Sequence, residues 1–218
     1  MTKFNKLSAG TTNQLFGSFA ILIVLSVALY SWLSLAEAEE LLPLTIDTDL
    51  ERVGDHPWKM DSEQSSLKIR INQKGSLIEG VFANWDAQIN LDPENLDTAF
   101  VDARIDMTSL ELGEFSDHAK SVNFLNVASH AEARFLSDFF WLRGDGKVDA
   151  EGLLEIAGVT QPFVLTFGLG IDGQRAAMNS YTAINRMDYQ VGAEEFSDEE
   201  SVGFGVEIAI DMIAEKQW

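Results

Sequence analysis

Asp117 and His118 are neighbours in a chain with three histidines and no cysteine, and together they could act as a general acid and base. At the start of a helix they would do something else. The carboxylate would suit the positive helix end, and the imidazole could donate to a carbonyl or to a pyrophosphate head group. An ordinary capping turn on a barrel rim is the structural alternative. Ser180 and Thr182 share a strand face with Met178 and Ile184, where they could donate along an interior or bond each other. Arg186 and Asp188 are close enough for an ion pair that clamps a turn, with a contact from Arg186 to an anionic head as the other reading. Five acids fall between Glu194 and Glu200, but without the alternating oxygen ligands and glycine of a calcium loop, so a solvated hairpin loop is expected. His56 and His130 lack metal-ligand spacing and read as surface or packing residues.

The absence of cysteine excludes disulfides, thiolate catalysis, cysteine-type zinc clusters and lipid attachment through an N-terminal cysteine. No nucleophile motif, phosphate loop or second paired carboxylate accompanies His118 and Asp117. Catalysis is therefore not expected, and a lipid-modifying enzyme built on that pair is the remaining enzymatic alternative. Thirty-five acids oppose 15 bases for a net charge of −20, which should repel phosphate backbones, so no nucleic acid partner is expected.

The elements that must carry these groups are strands. Apolar residues recur at every second place in Val81, Ala83, Trp85, Ala87, Ile89 and Leu91, with polar residues between them. The same period appears in Leu67 to Ile71, Val101 to Met107, Phe163 to Ile171 and Val206 to Met212. It predicts eight strands, at about 65–73, 76–91, 100–112, 132–142, 147–156, 161–171, 174–185 and 202–213. Turn residues such as Lys74-Gly75, Gly158 and Asp172-Gly173 favour up-and-down hairpins. Ser116 to Leu125 breaks the period with Ala119, Val122 and Leu125 three apart, which predicts a short helix with Ser116 as N-cap. The expected fold is all-β: an eight-stranded antiparallel barrel over 57–216 with one short helix that could plug or gate an end.

An N-terminal hydrophobic helix is expected before the barrel. Phe16 to Ala36 holds no charge and as a helix would reach about 31 Å, enough to cross a bilayer. Lys3 and Lys6 precede it and acids follow, so the barrel should be exported. Ala36-Glu37-Ala38 has the form of a signal-peptidase site, whereas the length and Tyr30-Ser31-Trp32 suit an uncleaved anchor. Residues 1–38 are thus a signal peptide or signal anchor, and 39–56 an acidic tether. The expected location is the periplasm, with the barrel soluble or anchored to the inner membrane through residues 16–36.

From Trp58 to Glu215 the chain resembles the YceI-like polyisoprenoid-binding family of lipocalin-like barrels. The resemblance rests on Trp58-Lys59-Met60-Asp61, Ser65-Ser66-Leu67, Gly80-Val81-Phe82, Ile89 to Pro93 and Ile105 to Ser109. More specific are Asp117-His118 with Ser121 and Phe124 to Val127, then Gly152 to Pro162 and Ile184-Asn185-Arg186-Met187-Asp188-Tyr189. Ala119 and Ala131 depart from the leucine and proline usual in the family, which affects packing of the lid.

The resemblance implies non-enzymatic storage or transport of a long isoprenoid, of quinone or polyprenyl type, in the lumen and in the bacterial cell envelope, with no cofactor. The inward faces fit it. Large Trp85, Phe135, Phe163 and Phe167 mix with small Ala83, Ala87, Ala103, Ala150 and Gly152, which could leave a channel. The expected ligand wall adds Ile89, Val101, Ile105 and Met107 on the early strands and Leu154 on the middle ones. Met178, Ser180, Thr182, Ile184, Val206 and Ile208 extend it on the last strands, with His118 and Phe124 near the helix. The opposing possibility is a filled barrel serving as an acidic interaction module, and the sequence leaves a homodimer open.

Overall fold

The structure, a computed structural model, describes residues 54–217. The hydrophobic segment 16–36, its cleavage site and the start of the acidic tether lie outside the described residues. Eleven strands form one antiparallel sheet: β1 (Pro57–Met60), β2 (Ser66–Gln73), β3 (Ser76–Phe82), β4 (Trp85–Asp92), β5 (Asn95–Asp106), β6 (Leu110–Glu111), β7 (Glu132–Leu142), β8 (Val148–Ile156), β9 (Val159–Asp172), β10 (Arg175–Asn185) and β11 (Val202–Lys216). β1 pairs with both β4 and β11, so the ring β1-β4-β5-β7-β8-β9-β10-β11 closes on itself. β2, β3 and β6 prolong β1, β4 and β5, so each of these three staves is a broken pair of strands. Eight staves result, the expected barrel, and closure removes exposed sheet edges around the ring.

Three strand expectations change, one of them the run expected at 100–112, which a 3-10 turn at Met107–Ser109 divides into β5 and β6. Pro57–Met60 was not expected as a strand, because it is short and opens with a proline, a residue tolerated at the first position of a strand. The run expected at 76–91 breaks at Ala83 and Asn84, whose N–H groups donate to Ser109 main-chain and side-chain oxygens at 3.3 and 3.0 Å. Across this break the inward-facing positions change from even-numbered to odd-numbered residues. Phe82 and Ile78 therefore face inward before the break and Trp85 and Ala87 after it, while Ala83 is exposed, not luminal.

The turns behave as expected. Lys74 and Gly75 both have positive φ (50° and 83°), as a two-residue hairpin turn of primed type requires. The helix is shorter than expected: α1 spans only Ser116–Lys120 and follows a 3-10 turn at Gly113–Phe115. Ser116 is not its N-cap; its hydroxyl accepts from the Leu112 N–H and donates to the Gly113 carbonyl, both at 2.8 Å. The first position of α1 thus closes the turn before it.

Candidate functional site

A cavity of about 570 Å³ runs inside the barrel from the end where α1 lies. Its wall follows the alternation of every long strand: Trp85 and Ala87 from β4, Val101 and Ile105 from β5 with Met107 just after it, Phe135 from β7, Leu154 from β8, Phe163 from β9, Met178, Thr182 and Ile184 from β10, and Val206 and Ile208 from β11. His118 and Phe124 join at the α1 end. Polar lining is confined to Gln73, His118, Thr182, Arg186 and the rims of Trp85 and Tyr189. Gln73, His118 and Arg186 all belong to the α1 end, so the few polar groups of an almost wholly apolar wall gather at one end.

Six expected wall residues lie outside the main cavity, Ala83 among them at the break described above. Ile89, Ala150 and Phe167 are too far down the barrel and line a second, smaller chamber of about 70 Å³. Ser180 lines neither, although Met178 and Thr182 on either side of it line the main cavity; the β9–β10 ladder ends just before it, at Asn179–Gly168. Its hydroxyl donates to the Thr166 carbonyl at 2.8 Å and bridges the two strands where the ladder stops. Gly152 is small for a different reason than lumen space. A Cβ there would sit 2.1 Å from the Leu136 carbonyl oxygen, beside the bulge between Ser137 and Phe139.

Sequence reasoning identified Leu67, Ile69 and Ile71 as an apolar face but not as wall, and missed Phe82, Leu110, Leu112, Phe115, Leu125, Tyr189, Val191 and Phe196. Phe196 left a signal: it is the lone aromatic within the acidic run Glu194 to Glu200.

Two segments, 113–127 and 186–204, form a lid over the α1 end. His118 Nε2 lies 3.5 Å from Glu195 Oε1, and Asn123 Nδ2 donates to Glu195 Oε2 at 3.3 Å. Below these contacts the rings of His118, Phe124 and Phe196 pack, with centroids 4.8 Å (His118–Phe124) and 5.7 Å (Phe124–Phe196) apart. Gly192 has φ +67° and a Cβ there would meet the Phe124 ring at 2.7 Å, so a glycine is required. The acidic run is thus part of the lid as well as a solvated loop.

Arg186 holds the second segment. The expected ion pair with Asp188 does not form. Instead the buried guanidinium donates to the carbonyls of Gly203 (3.1 Å), Val191 (2.8 Å), Phe196 (2.7 Å) and Val202 (3.0 Å), and it lies 5.2 Å from the centre of the Phe204 ring. A clamp on main-chain oxygens replaces a clamp on a carboxylate, because the chain folds back over the arginine after Tyr189. Burial lowers the pKa of this guanidinium, and Glu199 and Asp198 oppose that change. Burial, aided by Asp188, pushes the Tyr189 phenol up to about 12, so the ring stays neutral on the cavity wall.

The acid–base pair considered from sequence is not assembled in the cavity. Asp117 is exposed and off the wall, and the carboxylate beside His118 belongs to Glu195. His130 packs over Gly158, and His56 lies 3.6 Å from Asp92. Among the described residues no group of histidine and acidic side chains is placed to hold a metal, and no helix is long and apolar enough to cross a membrane.

With this geometry in view, comparison with known proteins is decisive for the family: the model of the YceI-like domain matches residues 58–214. The chain belongs to the YceI-like family. Its relatives include a UPF0312 protein of Pseudomonas fluorescens, 31% identical over 69% of this chain and 86% of that one. A UPF0312 protein of Vibrio cholerae is 28% identical over 67% and 84%. Among solved structures, BcnA of Burkholderia cenocepacia superposes with a TM-score of 0.68 at 22% identity, covering 71% of this chain and 98% of that one. A polyisoprenoid binding domain from Saccharophagus degradans superposes with a TM-score of 0.58 at 15% identity, covering 73% and 98%. At these identities the superpositions establish the barrel, and the family match covers all of its staves.

Proposed function

We propose that this protein binds a long-chain isoprenoid lipid, of quinone or polyprenyl type, inside the barrel and stores or carries it without chemical change. The observation that carries the reading is the cavity of about 570 Å³ with an almost wholly apolar wall and polar groups at one end. Its size falls within the roughly 300–1,000 Å³ of ordinary ligand sites. A prenyl tail leaving water gains roughly 25 cal/mol for each Å² buried. The head would lie under the lid near His118 and Gln73, with the tail directed toward Met178. The polyisoprenoid binding domain that shares the fold supports the same ligand class.

The reading places the barrel in the cell envelope, exported by the segment 16–36 and either released or held at the inner membrane. Full-length protein purified from its native membranes should carry an extractable isoprenoid, detected by native mass spectrometry as a bound mass. Protein carrying no lipid, and showing no tryptophan quenching with isoprenoid quinones, would refute the function. A fusion of residues 1–56 to a reporter active only outside the cytoplasm tests the location separately.

A further inference from the structure

The lumen is two chambers, not one. The main cavity and the smaller one of about 70 Å³ share four wall residues: Val101, Leu165, Met178 and Met212. These come from β5, β9, β10 and β11 and so surround the lumen near one level. Met178 and Met212 are direct cross-strand partners, and the next inward pair toward the far end is Ala176 with Ala214. A pair of long side chains is thus followed at once by a pair of minimal ones. Behind the alanines the floor is Trp58, whose indole N–H donates to the Leu91 carbonyl at 2.9 Å.

The residue types matter as much as the spacing. Methionine is unbranched and turns about three side-chain bonds, so it can leave a position that valine or leucine would block. The alanines keep space beyond the methionines that larger side chains would fill.

We propose that Met178 and Met212 form a displaceable partition that sets how long a prenyl tail the barrel accepts, the smaller chamber receiving the terminal unit when the thioethers swing aside. This rests on the isoprenoid reading above and adds the determinant of chain length. The test compares farnesol and geranylgeraniol by calorimetric titration of full-length, delipidated protein. In M178A/M212A the affinity ratio of geranylgeraniol to farnesol should rise roughly tenfold, the change expected from burying about two further methylene groups. In A176V, which fills the small chamber and leaves the main one intact, the ratio should fall severalfold with farnesol affinity unchanged. A176V alone decides the matter if the double variant does not fold. Farnesol bound by every variant with one constant ratio would overturn the partition and leave isoprenoid binding standing. Failure of the wild type to bind either alcohol would overturn both.

Discussion

Asp102 is buried between β5 and β7 on the side of the wall facing away from the cavity, and Arg134 donates two parallel hydrogen bonds to it at 2.7 and 2.8 Å. Burial by itself would raise this carboxyl, but the hydrogen bonds from Arg134 and Arg104 outweigh it and hold the group below the ordinary 3.8. A folded-state pKa below the unfolded one adds stability that is complete above 3.8 and is lost as the pH falls through the lowered value. Asp102→Asn should therefore cost roughly 3 kcal/mol near neutral pH, the scale of a broken buried pair. Urea midpoints measured against pH should show the gap to wild type closing in acid. His118 acts on a different quantity. It touches both lid segments yet is half exposed, so His118→Ala should leave the melting temperature nearly unchanged while raising the dissociation rate of bound farnesol severalfold in stopped-flow displacement. Glu195→Gln keeps the ring packing and should change that rate by less than about fivefold, since an exposed pair contributes at most about 1 kcal/mol.

Elements depend on single residues where strands approach closely. Gly152→Ala would drive a methyl group into the Leu136 carbonyl at the β7 bulge, whereas Gly170→Ala meets nothing within 4 Å. The first should destabilise by about 2 kcal/mol or more and the second by nearly nothing, as thermal melts of the pair will report. The staves themselves were legible because each buries one face, and a period of two needs no knowledge of partners. Leu67 to Ile71 and Val206 to Met212 face the lumen as their alternation implied. The break at Ala83 and Asn84 was not legible, because the groups that satisfy it, on Ser109, lie in another stave. The partners of the Arg186 clamp are illegible for the same reason. Asp188 is near in sequence, while the carbonyls of Val191 to Gly203 become neighbours only once the chain folds back. Local pattern reveals faces; long-range closure chooses partners.

At the scale of the whole molecule, anything that binds the folded barrel alone stabilises it by mass action. Geranylgeraniol at about 100 times its dissociation constant should add roughly 2.7 kcal/mol and raise the melting temperature accordingly, which differential scanning fluorimetry will measure. The cavity also decides the heat of that event. Its wall offers water almost no hydrogen-bond partners below Thr182, and water stays in a protein interior only where several polar groups receive it. A tail entering such a poorly hydrated tube gains dispersion contacts with the surrounding aliphatic and aromatic groups and displaces few ordered solvent molecules. Uptake should accordingly be exothermic at room temperature, with a negative heat-capacity change, and not driven by the entropy that accompanies oil leaving bulk solvent.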